Sequence, residues 1–272
     1  MEDLKNKYGS WALITGASSG IGEEFAKVLA SKGINLLLVA RRKERLQKLS
    51  DELISLYGIE VVISNVDLTS EKFLDQIIRD VDEREISILI NNAGIGKPGE
   101  FVDEEMVYDI DLIKINCLAP LVLANYFGKK MIRGKKGAIL FLGSIVAYQP
   151  TPYMASYAAT KSFNYSLGNS LWHELKNHGI DVLTINPGNT STEFNRMVLN
   201  DQSVLTRTAQ QVVATSLKAL GRKPNVVDGF INKIITVLAR VGSVRLITFV
   251  TGKIMYRLYQ QNHYPQNQTA ET

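Results

Sequence analysis

The chain has 272 residues, 45% apolar and 21% charged, which is enough to build a full core and too apolar to stay disordered. Its single cysteine, Cys117, excludes an intrachain disulfide, and one thiol with three histidines argues against a bound metal. The net charge of +4 is too small for a nucleic-acid binder and is unevenly spread: residues 221–258 hold seven basic side chains against Asp228 alone, so the rest is close to neutral.

The first residues, Met1 to Lys7, carry acids and no apolar run, so no signal peptide is read there and a cytoplasmic protein is expected. Strand-like apolar runs follow at 11–15, 35–40, 60–66, 86–90, 138–142 and 181–185, with helical spacing between them. Residues 43–57 place Leu46, Leu49, Leu53 and Leu56 on one face, and 71–83 follow an Asp67-Leu68-Thr69-Ser70 start signal. Such alternation predicts an α/β fold, a Rossmann-like doubly wound parallel sheet with helices on both faces. Residues 1–225 are expected to form the catalytic domain and 226–272 a helical extension with a polar tail. Ligands of such a sheet bind at the carboxyl ends of its strands, so the residues just after each run are the ones to inspect.

After the first run comes Thr15-Gly16-Ala17-Ser18-Ser19-Gly20-Ile21-Gly22, opening a helix. Its glycines allow a tight turn and close backbone approach to a pyrophosphate, and no Gly-Lys-Ser/Thr follows to make a triphosphate loop. After the second run stand Arg41 and Arg42 where an NAD site would want an acid; a guanidinium suits a 2′-phosphate, so NADP(H) is favoured over NAD(H). The alternative is a solvated arginine at a helix start. Asp67 and Leu68 follow the third run; Asp67 is either an adenine contact or an N-cap. Asn91, Ala93 and Gly94 follow the fourth, suited to a cofactor ribose or to a plain turn.

Gly143 and Ser144 end the fifth run, and Tyr157 and Lys161 lie four apart on a helix expected over 153–170. A lysine beside a phenol stabilises phenolate, so Tyr157 is expected to exchange a proton near neutrality with a substrate oxygen that Ser144 also binds. A surface tyrosine beside a snorkelling lysine is the plain alternative. Tyr153 lacks such a lysine and reads as pocket wall or core. Pro187, Gly188, Thr190 and Thr192 follow the sixth run, and 189–206 is a candidate lid.

Taken together, these motifs resemble the short-chain dehydrogenase/reductase family over residues 10–220, in the branch holding hydroxysteroid dehydrogenases and long-chain 3-oxoacyl reductases. The resemblance implies an NADP(H)-dependent oxidoreductase moving hydride between nicotinamide and a carbonyl or secondary alcohol, as a ketone reductase for an acyl or steroid-like substrate. It implies Tyr157 as the proton donor, Lys161 lowering the pKa of Tyr157 and binding the nicotinamide ribose, Ser144 placing the carbonyl, and Asn116 holding a relay water to Lys161. It also implies Gly16, Ser18, Ser19, Gly20, Ile21 and Gly22 at the pyrophosphate, and Arg41, Asp67, Leu68, Asn91, Ala93 and Gly94 along the adenosine. Pro187, Gly188, Thr190 and Thr192 would face the nicotinamide. Members that lose catalysis often lack the tyrosine or the lysine, and both are present. A silent NADP(H) sensor and a membrane-surface lipid binder are the other readings. The family's terminal strand and Val-Asp-Gly-Gly turn are matched only vaguely by Val226-Val227-Asp228-Gly229, which leaves the family's tetramer contact open and a homo-oligomer, dimer or tetramer, as the expectation.

In the C-terminal segment, Phe230, Ile231, Ile234, Ile235, Leu238 and Val241 form one apolar stripe. Leu246, Ile247, Phe249, Val250, Ile254 and Leu258 form another, with Arg245, Lys253 and Arg257 on a separate face. Within 230–258 the longest uncharged run is 246–252, too short for a span. The stripes are expected to pack on the catalytic domain or a second subunit; the alternatives are peripheral contact of 230–258 with a membrane surface, and substrate capture.

Overall fold

The computed structural model describes residues 4–198 and 206–263. A short helix α1 (Leu4–Tyr8) leads into β1 (Trp11–Thr15), α2 (Gly20–Ala30), β2 (Asn35–Ala40), α3 (Lys43–Tyr57), β3 (Val61–Asn65), α4 (Phe73–Val81) and β4 (Ile86–Asn91). Next come α5 (Met106–Ile113), a π-helical turn (Lys114–Leu118), α6 (Ala119–Gly134), β5 (Gly137–Leu142), α7 (Ala155–Lys176) and β6 (Ile180–Asn186). The last described elements are β7 (Thr190–Ser191), α8 (Glu193–Val198), β8 (Arg207–Thr208), α9 (Ala209–Ala219), β9 (Asn225–Val227), α10 (Phe230–Val241) and α11 (Val244–His263).

The main sheet runs β3-β2-β1-β4-β5-β6-β9, every neighbouring pair parallel. Side chains alternate across it with the period of two that a strand dictates. Ala12, Ile14, Leu36, Leu38, Ile88 and Ile90 face the layer of α2, α3 and α9. Leu13, Leu37, Val39, Leu89, Ile139 and Phe141 face the layer of α4, α6 and α7. Strands buried on both faces are nearly continuous apolar runs, which is why they are legible in the sequence. The order reverses between β1 and β4, and the crevice there is the ligand site of such a sheet.

Four expectations change. The vague Val226-Val227 match is a true seventh strand: β9 pairs with β6 through Thr184, Ile185 and Asn186. Three residues are too short to show a pattern; a long-range knot fixes them instead. The fully buried carboxylate of Asp228 accepts from Arg207 Nε (2.9 Å) and Nη2 (3.2 Å) and from Thr215 Oγ1 (2.6 Å), tying β8, α9 and β9 together. Helix α4 starts at Phe73 rather than at 71, because Ser70 closes a turn that takes the amides of Lys72 and Phe73. Helix α7 starts at Ala155, since Tyr153 holds a left-handed φ of 61° that no helix admits, and it runs beyond 170 to Lys176 before the left-handed Gly179.

The fourth change concerns α10. It does pack on the domain, but with its polar face. Asn232 and Thr236 are buried, whereas Phe230 (76% exposed), Leu238 (58%) and Val241 (77%) face outward with Ile231, Ile234 and Ile235. Polar anchors set this rotation: Asn232 Nδ2 donates to the Asp228 carbonyl (2.7 Å), Arg240 donates to the Tyr165 hydroxyl, and its guanidinium lies 4.6 Å from the Tyr148 ring centroid. Among the described residues no helix is long and apolar enough to cross a membrane.

Removing the Asp228 carboxylate leaves Arg207 and Thr215 without their partner in a buried setting. Asp228→Ala should lower the unfolding free energy by roughly 3 kcal/mol in urea melts, reduced from a fully buried pair because Arg207 is partly exposed. A loss within about 0.5 kcal/mol would show that the knot is not structural.

Candidate active site

The exits of β1 and β4 are joined side chain to backbone. Thr15 Oγ1 accepts from the amides of Asn92 and Ala93 (both 3.0 Å) and donates to the Ile90 carbonyl. Asn92 Nδ2 donates to the carbonyls of Thr15 (2.9 Å) and Gly16 (3.3 Å). The glycine loop is thereby pressed against the start of α2: a Cβ on Gly22 would lie 2.4 Å from the Gly16 carbonyl oxygen. Gly16 and Gly20 have positive φ (68° and 61°), and Ser19 ends the loop in extended backbone, leaving the first amides of α2 free to bind an anion. Ile21 is buried beneath the loop.

The residues fit a dinucleotide. Asn91, at the end of β4, is buried, and neither its Oδ1 nor its Nδ2 has a hydrogen-bond partner among the described residues, an arrangement that calls for a polar ligand. A Cβ on Gly94 would fall 3.3 Å from Asn116 Oδ1 and 3.4 Å from Lys161 Nζ, so this glycine keeps open the approach to both, beside Ala93.

At the ends of β2 and β3, Asp67 is not an N-cap of α4. Its Oδ1 accepts from the Thr69 amide and hydroxyl (2.9 Å each), and its Oδ2 lies 3.9 Å from Arg41. Burial opposes its ionisation, but the Thr69 bonds and Arg41 outweigh that and hold the carboxyl below its usual value. Leu68 is buried. Arg41 is well exposed, and it is joined by Arg42 and by Arg45, which the sequence did not point out. Arg42 donates to Ser18 Oγ (3.1 and 3.0 Å), Ser19 Oγ (2.7 Å) and Glu193 Oε2 (2.7 Å). Arg45 donates to both oxygens of Glu193 (2.8 and 3.3 Å). The signal for Arg45 was its i+3 spacing from Arg42; Glu193, about 150 residues away, had none.

On the other side of the crevice, Ser144 follows β5 and Tyr157 and Lys161 face inward from α7. Ser144 Oγ accepts from the Val146 amide (3.3 Å) and stands close enough to Tyr157 to favour its ionised form. Lys161 Nζ donates to the Leu142 carbonyl (2.8 Å) and lies 5.5 Å from the Tyr157 ring centroid. Asn116 sits in the π-helical turn, whose extra residue rotates it fully inward. Its Oδ1 accepts from the Ile95 amide, and its Nδ2 donates to the Ile95 carbonyl and to Thr160 Oγ1, clamping the loop after β4 to α7.

The electrostatics differ from expectation. Burial raises the Tyr157 phenol well above its ordinary range, and Ser144 opposes this only in part. Burial also pulls the Lys161 ammonium down to about 8. Both shifts follow from removing a charged form from water. Tyr157 is therefore held neutral, as a proton donor, and Lys161 carries its charge only below about pH 8.

Over the crevice lies a strap from the end of β6. Pro187 accepts from the Ile145 amide, Thr190 Oγ1 donates to the Gly188 carbonyl, and Thr192 Oγ1 accepts from the Asn195 amide at the start of α8. A Cβ on Gly20 would lie 3.1 Å from Thr192 Cγ2, so the strap meets the glycine loop. Gly188 is packed against Asn232 of α10, where a Cβ would come within 2.5 Å. Of the expected lid at 189–206, residues 199–205 lie outside the described residues. A shallow cleft opens beside Tyr157, lined by Tyr108, Leu112, Tyr153 and Met154 and by the charged Glu100 and Asp109, with the Lys97–Glu104 pair (2.8 Å) at its edge. Tyr153 is indeed a pocket wall; it stacks on Tyr259 and meets Tyr256, and Met255 packs with Tyr157, so α11 backs the cleft. No group of three or more His, Cys, Asp or Glu that could hold a metal occurs among the described residues.

Residues 10–203 match the short chain dehydrogenase family. The chain belongs to that family. Very-long-chain 3-oxoacyl-CoA reductase of Phaeosphaeria nodorum is 36% identical over 220 residues, 79% of this chain and 64% of that protein. Inactive hydroxysteroid dehydrogenase-like protein 1 of Homo sapiens is 31% identical over 195 residues, 71% of this chain and 59% of that protein. The chain thus spans under two thirds of the length of these curated relatives. Among solved structures, a short-chain dehydrogenase from Sphingobium yanoikuyae in complex with NADPH is 29% identical with a TM-score of 0.75, covering 96% of this chain and 99% of that one.

A phenol held neutral has a direct test. Phenolate absorbance of the wild type and of Tyr157→Phe should superimpose up to about pH 10, because Tyr157 does not ionise in that range. A wild-type excess of one phenolate appearing near neutrality would restore the expected lysine effect.

Proposed function

We propose that this short-chain dehydrogenase is an NADP(H)-dependent ketone reductase for an apolar, acyl-type substrate. The observation carrying the reading is the meeting of Ser144, Tyr157, Lys161 and Asn116 beside the glycine loop and the unpartnered amide of Asn91. Arg41 and Arg42 after β2 and Arg45 in the first turn of α3 favour the 2′-phosphate of NADP(H), which offers a dianion where NAD(H) has a hydroxyl. The apolar wall of Leu112, Tyr153 and Met154 on the Tyr157 side of the cleft, opposite a charged rim of Lys97, Glu100, Glu104 and Asp109, and the name of the Phaeosphaeria nodorum reductase support an acyl substrate.

NADP(H), when bound, supplies or takes the hydride. Asn91 and the amides opening α2 hold its ribose and pyrophosphate, and Gly94 leaves room beside Lys161 for the second ribose. Ser144 and Tyr157 both donate to the substrate carbonyl oxygen, which polarises it and fixes its distance from the hydride. The neutral Tyr157 phenol gives its proton to the alkoxide oxygen as the C–H bond forms. Lys161, charged below about pH 8, then stabilises the phenolate left behind. Asn116 keeps Lys161 and the loop after β4 in register.

The outward stripe of α10 and α11 is read as a peripheral membrane surface. Residues 229–263 contain no acid, and Lys233, Arg245, Lys253 and Arg257 stand exposed among Phe230, Leu246 and Phe249. A second copy meeting this face symmetrically would oppose like charges with no carboxylate to pair them. An anionic leaflet accepts both the apolar stripe and the cations, and it brings an apolar substrate to the helix that backs the cleft.

Wild-type protein should bind NADPH more tightly than NADH by fluorescence titration and oxidise NADPH with 3-oxoacyl ketones, best with long chains. Tyr157→Phe should lose about 10²–10⁴-fold in rate while keeping NADPH affinity. Wild-type binding without turnover of any ketone would favour the silent reading that the inactive human relative suggests. Full-length protein should also sediment with vesicles containing about one third phosphatidylglycerol and less at about 0.5 M salt, with Leu246→Glu/Phe249→Glu abolishing it. No sedimentation by the wild type would remove the membrane surface.

A further inference from the structure

The strap after β6 and the arginines after β2 meet in one ion cluster. Glu193 is the first residue of α8 and the direct neighbour of Thr192, which rests against Gly20. Its carboxylate is bridged by two guanidinium groups, Arg42 at 2.7 Å and Arg45 at 2.8 Å. Arg42 is at the same time fixed by the hydroxyls of Ser18 and Ser19 in the glycine loop. One carboxylate therefore fastens the strap on the nicotinamide side to the cationic pocket on the adenosine side.

We infer that Glu193 is an internal stand-in for the 2′-phosphate: it holds Arg42 and Arg45 and latches the strap until a cofactor bearing that phosphate displaces it. This deepens the NADP(H) reading and rests on it. Three physical points carry the inference. A planar carboxylate bridging two guanidinium groups makes the charge-assisted bonds that a phosphate would make there. A phosphate monoester brings about −1.5 to −2 charges and three acceptor oxygens against one charge and two oxygens, so it competes for the same donors, whereas the neutral 2′-hydroxyl of NAD(H) does not. All three side chains remain partly exposed, so the cluster exchanges partners without unfolding anything.

Arg42 and Arg45 hold the Glu193 carboxyl well below its ordinary value, down to about 2. The latch thus stays charged throughout the neutral range and opens only as pH falls toward that value, so anion exchange and not pH is its release. Other charged groups do not intervene: the carboxyl's shift is set by Arg42 and Arg45, with burial opposing. Once Glu193 is displaced, the strap keeps its own internal bonds from Thr190 and Thr192 but loses its tie across the groove. Occupation of the adenosine end is in this way reported to the residues over the nicotinamide end.

The probes are adenosine 2′,5′-bisphosphate and 5′-AMP, with hydrogen exchange of backbone amides 190–198 read in the full-length protein. The bisphosphate should speed exchange in the strap, and 5′-AMP should leave it unchanged. Glu193→Gln should exchange fast without any ligand and bind the bisphosphate about three- to tenfold more tightly, with 5′-AMP affinity within about twofold of wild type. Glu193→Asp, one methylene shorter, should loosen the strap in the same way while keeping the charge. Weaker bisphosphate binding in Glu193→Gln, equal gains for both probes, or a strap unaffected by either substitution would overturn the latch. Equal wild-type affinity for the two probes would instead overturn the NADP(H) reading, which separates the two failures.

Discussion

Thr15 and Asn92 join the exits of β1 and β4, and everything around the crevice is positioned by that junction. At the reversal of strand order, successive loops leave toward opposite faces of the sheet, so nothing in the sheet's own hydrogen bonding holds them together. A hydroxyl accepting two amides and a carboxamide donating to two carbonyls supply the missing connection. The loop of Gly16 to Gly22 is then forced into backbone contact with itself, and only glycine tolerates the approach. The amides of Gly16 and Ala17 are tied to the Val39 carbonyl, which leaves the first amides of α2 for an anion.

Across the crevice the same logic of burial governs the chemistry. Tyr157 and Lys161 are removed from water together, so each is pushed toward its neutral form. A neutral phenol beside Ser144 is arranged to give a proton, and a lysine near 8 is arranged to change its charge with little provocation. The π-helical turn at Lys114–Leu118 is part of this arrangement: its extra residue turns Asn116 into the core, where it clamps the loop after β4 to α7.

The C-terminal helices connect the crevice to the surface. Asn232 braces Gly188, and Tyr256, Tyr259 and Met255 back Tyr153 and Tyr157, so α10 and α11 belong to the walls of the site. Helix α10 meets the domain with Asn232 and Thr236 and α11 with Met255 and Leu258, which leaves the α10 stripe, Leu246, Phe249 and Ile254 outside with Lys233, Arg245, Lys253 and Arg257. The strap, fastened at one end beside α10 and at the other to Arg42 and Arg45, spans the groove between the cofactor's two halves.

The sequence by itself determined the doubly wound sheet, the glycine loop and the positions of Ser144, Tyr157, Lys161 and Asn91, because strand burial and loop chemistry are local and leave periodic or short contiguous signals. The reading of Asp67 as a cap, the lowered Tyr157 phenol and the inward packing of the α10 stripe did not survive. Each depends on what lies across space: Thr69 and Arg41 around Asp67, the depth of burial around Tyr157, and the anchors Asp228, Tyr148 and Tyr165 that rotate α10. The pairing of Glu193 with Arg42 and Arg45 and the knot at Asp228 join segments far apart in the chain. Only tertiary structure decided these, because a charge's partner and a helix's rotation are set by neighbours that sequence spacing does not encode.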